Sequence, residues 1–246
     1  RFPLTNKYLG ELYMKTYRFS QSVAAYEEYL KTINETDKEF LTIQKAKKKA
    51  ELAEKMIQRV DDIQIIDSVV VNKDHFLEFY KFTNDLGSLS ATPVKIGKKK
   101  DFKITYTTQR QDRKLFSDTV HGQMDIFTSY KLLDEWSKPE SVSDIINTKA
   151  NENYPFLLLD GVTIYFASDG DNSIGGYDLF VSRFRPETNT YFQPENIGMP
   201  YNSIYNDYMM VIDDIHQVGW FATDRFQPEG KVIIFSFIPG LLLLNC

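Results

Sequence analysis

The stretch that decides the fold runs Ile164-Tyr-Phe-Ala-Ser-Asp-Gly170, Gly175-Gly-Tyr-Asp-Leu-Phe-Val-Ser-Arg183, Tyr191-Phe-Gln-Pro-Glu-Asn196 and Tyr201-Asn-Ser203. Related segments stand before it, at Ile104–Arg110, Gly122–Tyr130, Glu135–Glu140 and Ile146–Thr148, and after it, at Gly219–Arg225 and Gly230–Phe237. Pro139 and Pro194 are 55 positions apart, and so are Asn147 and Asn202. A fixed period of short strands indicates a repeat protein, and a unit of four short strands predicts a blade of a β-propeller.

Strands and turns can be placed within each repeat. Asp160-Gly161 separates Tyr154–Leu159 from Val162–Ala167, which predicts a tight hairpin because both turn residues tolerate positive φ. The same hairpin is predicted one period later for Tyr208–Asp213 and Val218–Ala222. Each hairpin is then followed by a third strand and a short fourth strand at the edge.

Three repeats are clear, and Ile63–Ile96 supplies part of a possible fourth. Propellers close with about four to eight blades. We therefore expect a mainly β protein with a helical N-terminal segment, whose four-stranded antiparallel blades form a small or partial propeller, or a fragment of a longer one.

Residues 1–62 have the pattern of helices. Their apolar side chains recur at helical spacing in three stripes, which are Leu9, Leu12, Tyr13 and Thr16, then Phe19, Val23, Tyr26 and Leu30, then Ala46, Ala50, Ala53 and Ile57. From Ile63 the pattern changes, and the apolar run Ile63–Val71 predicts a buried strand. The sequence thus predicts a helical segment, residues 1–62, and a β region of blades, residues 63–246.

The first two predicted helices resemble a tetratricopeptide repeat. Leu9-Gly10, Tyr13, Phe19 and Tyr26 stand at the offsets of that motif. The resemblance implies that Gly10 allows close approach of the paired helix and that the aromatic side chains fill the groove. Ser22 and Tyr29 depart from the motif, since small residues are expected there. A generic amphipathic helical hairpin is the alternative.

The repeats of the β region resemble the WD-repeat-like propeller repeat of the Tol-system periplasmic protein. The resemblance rests on Tyr154-Pro-Phe-Leu157, Asp160-Gly161, Ile164–Ser168 and Gly176-Tyr-Asp-Leu-Phe180, and it spans about 140 residues. Together with the tetratricopeptide-like start it implies an exported interaction protein of the Gram-negative envelope, periplasmic or associated with the outer membrane. It implies protein partners, with peptidoglycan or another glycan as a further ligand, and it supplies no catalytic residue.

Composition narrows the functional classes. The chain has 246 residues and a net charge of -5, and residues 63–246 carry 17 basic against 24 acidic side chains. Phosphate binding needs clustered Lys and Arg, so nucleic acid is an unfavourable partner for this region. The single cysteine, Cys246, excludes an intrachain disulfide and a multi-cysteine zinc site. The apolar stretch Val232–Leu244 is interrupted by Pro239-Gly240 and is too short for a membrane-spanning helix.

Motifs for catalysis and metal binding are weak. Asp169-Gly-Asp171-Asn-Ser173 has oxygen ligands at alternate positions, but Ile174 stands where a calcium loop needs glycine. No nucleophile elbow precedes a helix. Asp125 and Asp178 recur at equivalent positions, which favours a structural turn over a glycosidase pair. We therefore predict no catalytic residue, no metal and no cofactor; a carbohydrate-binding or glycoside-hydrolysing propeller is the alternative.

Alternate loops of an up-and-down blade emerge on opposite sides, which predicts a binding surface. We call one side the long-loop face, with its loops at 147–153, 169–175, 202–207, 224–230 and 109–122. Functional residues concentrate on loops that a rigid scaffold presents. We therefore expect protein-partner contacts from Arg110, Asp169, Tyr205 and Arg225. The predicted function is a non-enzymatic scaffold of the bacterial envelope.

Overall fold

The computed structural model describes residues 3–240 except 82, 84 and 98. The apolar tail that follows Gly240, including Cys246, lies outside the described residues.

Three helices form the N-terminal segment: α1 (Pro3–Lys15), α2 (Phe19–Leu30) and α3 (Lys38–Ile57). The glycine prediction is confirmed, because a Cβ on Gly10 would lie 2.5 Å from a ring carbon of Tyr26. Ser22, which departs from the motif, is buried, and its hydroxyl is satisfied because it donates to the Gly10 carbonyl at 2.8 Å. The stripe on α1 is only partly internal, since Leu12 is 54% exposed.

The rest of the chain is mainly β and forms three antiparallel sheets. The strands are β1 (Gln64–Asn72), β2 (Ser88–Ile96), β3 (Lys99–Thr107), β4 (Arg113–Val120), β5 (Gln123–Tyr130), β6 (Glu140–Ser141), β7 (Glu152–Leu157), β8 (Thr163–Ser168), β9 (Asp178–Arg185), β10 (Thr190–Tyr191), β11 (Glu195–Asn196), β12 (Asp207–Asp213), β13 (Val218–Thr223) and β14 (Lys231–Ile238). The first sheet has the order β2-β3-β4-β5-β6, the second β10-β9-β8-β7 with β11 also on β9, and the third β1-β14-β13-β12.

The sheets stack in sequence order. Strand β7 packs on β3, β4 and β5 of the first sheet, and β12 packs on β7, β8 and β9 of the second. Between the third and first sheets lies a 3-10 helix, Lys73–Phe79, which contacts β14, β1 and β2. One apolar core, to which Phe76, Tyr106, Phe156, Ile164 and Phe221 belong, runs through all three sheets.

The predicted hairpins are confirmed. Gly161 has a φ of 74° in the turn that joins β7 to β8, and β12 pairs with β13 one period later. Tyr154 and Met209, also 55 positions apart, both have positive φ at a register shift in β7 and β12. The 55-residue repeat therefore includes the backbone irregularity as well as the strands.

Two predictions about the start of the β region are wrong. Ile63–Val71 is predicted to be a buried strand, and it does form β1. However, the first seven residues of β1, which precede Val71, are exposed, because β1 is the outer edge of the third sheet. It pairs with β14, at the other end of the β region, with Val71 opposite Val232. The segment Ile63–Ile96 consequently gives no fourth blade, since its strands join the third and first sheets. The strand pairing shows three separate sheets, and closure into a propeller stays a prediction.

The first repeat is displaced by one strand from its predicted alignment. Strand β4 pairs with β5 as β8 pairs with β9, so β4, and not Ile104–Arg110, is the counterpart of Ile164–Gly170. The cause is the turn His121-Gly122, which has φ values of 50° and 88° and replaces a long loop. The predicted loop 109–122 is therefore wrong, because it contains β4.

Candidate functional site

The 55-residue period recurs in side-chain hydrogen bonds of the long-loop face. Asn151 donates from its backbone and side-chain amides to the two carboxylate oxygens of Asp169, both at 2.8 Å. Asn206 makes the same two bonds to Asp224, also at 2.8 Å. In the second sheet the pair ties the loop before β7 to the loop between β8 and β9. In the third sheet it ties the loop before β12 to the loop between β13 and β14. Asp169 and Asp224 therefore hold the long-loop face together.

Asparagines also link each of these loops to the preceding sheet. The side-chain amide of Asn147 accepts from the Ile126 N–H and donates to the Ile126 carbonyl, both at 2.8 Å. Asn202 does the same to Leu179, at 2.7 and 2.8 Å. Each side chain satisfies a strand N–H group and shares the carbonyl of the same residue with a backbone N–H, that of Val142 or of Ile197.

Three tyrosines from the second and third sheets meet beneath the long-loop face. The ring centroids of Tyr154, Tyr177 and Tyr208 are 5.4 to 6.2 Å apart. The hydroxyls of Tyr154 and Tyr177 both donate to Asp101 at 2.9 Å. Burial raises the pKa of all three hydroxyls, and neighbouring carboxylates raise it further. The hydroxyls therefore keep their protons and act as donors, those of Tyr154 and Tyr177 to Asp101 and that of Tyr208 to Asp224.

Tyr208 connects this cluster to the open surface. Its hydroxyl donates to Asp224 at 2.9 Å and accepts from Lys73 Nζ at 2.6 Å. The Lys73 ammonium also lies 4.5 Å from the centroid of the Tyr208 ring. Lys73 thus brings the 3-10 helix to the rim of the long-loop face.

Above the tyrosines lies a cleft of about 940 Å³, which we call the central cleft. It is lined by Lys73, Asp74, Ile96, Lys100, Asp101, Phe102, Asn151, Asp169, Gly176, Tyr177, Tyr205, Asn206, Tyr208, Asp224, Gln227, Pro228, Glu229, Gly230 and Lys231. All three sheets contribute to its walls. Sequence reasoning missed Asp101, Lys73 and the tyrosine cluster, because they come together only through the stacking of separate sheets.

The four residues predicted to contact a partner have different positions. Asp169 and Tyr205 both line the central cleft. Tyr205 is half-buried and packs against exposed Phe226, with ring centroids 5.4 Å apart. Arg225 lies in the third sheet's loop, but its guanidinium is directed inward, 2.8 Å from buried Asp207. The structure thus brings two of the four together at an open surface.

Arg110 lies at the opposite end of the sheets. It is in the turn between β3 and β4, and β4 runs from this turn to the β4–β5 turn. At that second turn Gln123 donates to the carbonyl of Thr148 at 2.7 Å, within a loop of the long-loop face. Arg110 is therefore about one strand length away from the predicted surface, and the expectation that it shares a face with Asp169 is wrong.

The helical segment covers part of the long-loop face. Phe19 and Ala53 pack with Ile174 and Met199, which belong to loops of the second and third sheets. Lys49 Nζ donates to the Gly175 carbonyl at 2.6 Å. The predicted surface is therefore smaller than the loops alone suggest, and the central cleft is an open part of it.

Asp178, which was weighed above as part of a glycosidase pair, caps the loop that precedes β9. Asp178 is fully buried and accepts from the backbone N–H groups of Ile174 and Gly175, at 2.9 and 3.1 Å. The Asn196 amide adds a bond of 2.8 Å. In the described part of the chain, no group of three His, Cys, Asp or Glu side chains has a metal-binding arrangement.

Asp178 makes the stability of the protein depend on pH. Burial, together with the charge of Asp207, raises the pKa of Asp178 from 3.8 to about 7. The folded state therefore binds this proton more tightly than the unfolded chain, and this contribution to stability is lost as the pH rises from about 4 through 7. We expect Asp178→Asn to remove about 2 kcal/mol of stabilisation that wild type gains between pH 7 and pH 5.

Urea unfolding of both proteins at pH 5, 6 and 7 measures this difference. Asp214→Asn in the β12–β13 turn provides a matched control at another acidic position. Parallel pH profiles for wild type and Asp178→Asn would contradict the assignment.

The architecture defines a protein of three stacked antiparallel sheets with a helical segment packed on their loops. No protein-family model matches the chain, and no curated protein matches it either. Among the described residues, no helix has both the length and the apolar character needed to cross a membrane.

Proposed function

We propose that this protein is a non-enzymatic docking module, and that the central cleft is its partner-binding surface. The observation that carries the proposal is the use of the acidic side chains around the cleft. Asp169 and Asp224 each accept two bonds from an asparagine, and Asp101 accepts from two tyrosines. These carboxylates are committed to holding loops, which supports binding at the surface over acid–base chemistry.

A protein partner is supported by the exposed apolar side chains near the cleft and on the helices. Phe226 is 70% exposed beside Tyr205, and aromatic side chains are frequent anchors in protein interfaces. Leu4, Tyr8 and Leu12 are spaced by four on α1, and each is more than half exposed. A tetratricopeptide-like pair usually stacks on further helices through such a face.

The proposal includes the wider setting that the repeats imply. Three stacked sheets of four to five strands support a small or partial propeller. The pairing of β1 with β14 places strands from the start and the end of the described β region in one sheet, which supports blades that are completed by distant strands. By resemblance to the Tol-system repeat, we propose an exported protein of the bacterial envelope.

A carbohydrate ligand is the second candidate. The Tyr205–Phe226 pair at the cleft supports it, because sugar rings stack on exposed aromatic faces. In this case the protein is a lectin, since Asp178 and Asp169 are held as caps.

Site-specific photocrosslinking in the native host tests the proposal. A benzoylphenylalanine at Glu229, an exposed residue of the cleft, should give adducts of discrete mass. These adducts should be removed by protease and not by glycosidases.

The matched control places the same group at Ile215, which is 60% exposed in the β12–β13 turn at the opposite end of the third sheet. Equal adducts at both positions would refute the cleft as the docking surface. Adducts that only glycosidases remove would favour the carbohydrate ligand.

A further inference from the structure

A second pocket, of about 690 Å³, lies where α3 meets the loops of the second sheet. The residues around it include Glu152, Ser168, Ile145, Ile146 and Gly170. We call it the second-sheet pocket. Its counterpart in the third sheet is filled by a side chain of the protein itself.

That side chain is Arg225. Its guanidinium donates to Asp207 Oδ1 at 2.8 Å and to the carbonyls of Pro200 and Tyr201, at 2.7 and 2.6 Å. Its Nε donates to Thr223 Oγ1 at 3.1 Å. One cation is thus surrounded by a carboxylate, a hydroxyl and two carbonyls.

The walls of the second-sheet pocket are the same positions one period earlier. Subtracting 55 converts Pro200, Tyr201, Asp207, Thr223 and Arg225 into Ile145, Ile146, Glu152, Ser168 and Gly170. All five line the pocket. The position that supplies the guanidinium in the third sheet is a glycine in the second, so Glu152 and Ser168 have no cationic side chain from the equivalent position.

The local hydrogen bonds confirm that the two sites are built alike. Thr148 donates to Glu152 from its N–H and hydroxyl, at 3.0 and 2.8 Å, as Ser203 does to Asp207. The backbone N–H of Gly170 donates to Ser168 Oγ at 3.2 Å, which is also the distance from Arg225 N to Thr223 Oγ1.

Glu152 lacks the charge compensation that Asp207 has. Its side chain is fully buried, and it accepts hydrogen bonds from the neutral donors of Thr148 and Ser168. Among the described residues, no Lys, Arg or His nitrogen lies within 4.0 Å of it. Lys45 and Lys149 line the pocket but are exposed. Hydrogen bonds from a charged donor to a carboxylate are stronger than those from neutral donors, so a guanidinium that reaches Glu152 would gain a favourable interaction.

We propose that the second-sheet pocket binds the guanidinium of an arginine side chain presented by a partner polypeptide. Glu152, Ser168 and the carbonyls of Ile145 and Ile146 take the roles that Asp207, Thr223, Pro200 and Tyr201 have toward Arg225. The planar guanidinium presents five donors in a fixed fork, which suits several acceptors around one pocket better than an ammonium does. The inference deepens the proposed docking function by naming the chemistry of a partner side chain.

Blocked arginine, N-acetyl-arginine amide, is the probe. In a titration followed by amide NMR, we expect the signals of Thr148, Ser168 and Gly170 to shift with a dissociation constant in the millimolar range, on the order of what a ligand of this size achieves. Blocked citrulline has nearly the same shape without the charge, and it should bind at least about tenfold more weakly. Equal binding of the two probes would overturn the proposal.

Two variants locate the site. Gly170→Arg should fill the pocket from within and abolish probe binding, because a Cβ at Gly170 meets its nearest neighbours at 3.3 and 3.4 Å and φ is not in the left-handed region. Ile215→Arg, which adds a guanidinium at a 60% exposed position in the β12–β13 turn, away from the pocket, should bind normally. Glu152→Gln should weaken binding at least about tenfold. Unchanged binding by Gly170→Arg would overturn the proposal.

The two proposals fail separately. Arginine binding with no crosslinking at Glu229 would remove the central cleft as the docking surface and leave the second-sheet pocket in place. Crosslinking without selective arginine binding would do the reverse.

Discussion

Replacing Arg225 with alanine should destabilise the protein by about 3 to 5 kcal/mol, the usual cost of breaking a buried ion pair from one side. Asp207 is fully buried, while the Arg225 side chain is 17% exposed. Burial raises the pKa of Asp207, and the charge of Arg225 lowers it. Without the guanidinium, the carboxylate keeps only neutral donors, and two carbonyls of the loop before β12 lose their partner.

Chemical denaturation at pH 7 measures the loss, and a second titration at pH 5 identifies its cause. Because removing Arg225 raises the pKa of Asp207 further, protonation should restore part of the stability at the lower pH. Arg110→Ala is the matched control, since Arg110 is exposed in the β3–β4 turn and should change stability by less than about 0.5 kcal/mol. Equal effects of the two substitutions would contradict the role of the Arg225–Asp207 pair.

The contrast between Arg110 and Arg225 shows which features of the candidate site can be predicted from the sequence. The sequence predicts both as partner contacts because it assigns both to loops of the long-loop face. What separates them is a carboxylate 18 positions before Arg225 and a displacement of the first repeat by one strand. Neither fact can be read from the residues next to each arginine in the sequence.

Features carried by local pattern were predictable. The Asp160-Gly161 hairpin, the strands that became β9, β12, β13 and β14, and the close approach at Gly10 each depend on a few neighbouring residues. The division of the chain into a helical part and a β part also follows from periodicity.

Features carried by distant contacts were not predictable. Strand β1 pairs with β14 about 170 residues further along the chain, and its apolar side chains are exposed at the sheet edge despite their buried-strand pattern. The tyrosine cluster needs Asp101 from a different sheet. The docking of the helices on Ile174 and Met199 gave no periodic signal. The sequence did contain one signal for the second-sheet pocket. When the repeats are aligned, Asp207 corresponds to another acidic residue, Glu152, whereas Arg225 corresponds to a glycine, Gly170.

Replacing Gly175 with alanine should cost about 3 kcal/mol, the upper end of the usual cost of overpacking, because an added methyl group meets backbone that cannot move alone. A Cβ at this position would overlap the Tyr205 carbonyl oxygen and lie 2.6 Å from that of Ser203. The Gly175 carbonyl also accepts the bond from Lys49 on α3. Any shift that relieves the overlap must therefore displace the third sheet's loop, the second sheet's loop or the helical segment.

Gly170→Ala, in the same loop, is the matched control for Gly175→Ala, because its Cβ would have 3.3 Å and 3.4 Å contacts to side-chain atoms only. It should change the free energy of unfolding by less than about 1 kcal/mol. Denaturation reports the stability of both variants, and hydrogen exchange locates the change. We expect faster exchange in the loops 169–177 and 197–206 and in α3 for Gly175→Ala alone. Similar stability of the two variants would mean that the second and third sheets are not locked together at Gly175, and the continuous wall of the central cleft would then have no fixed geometry.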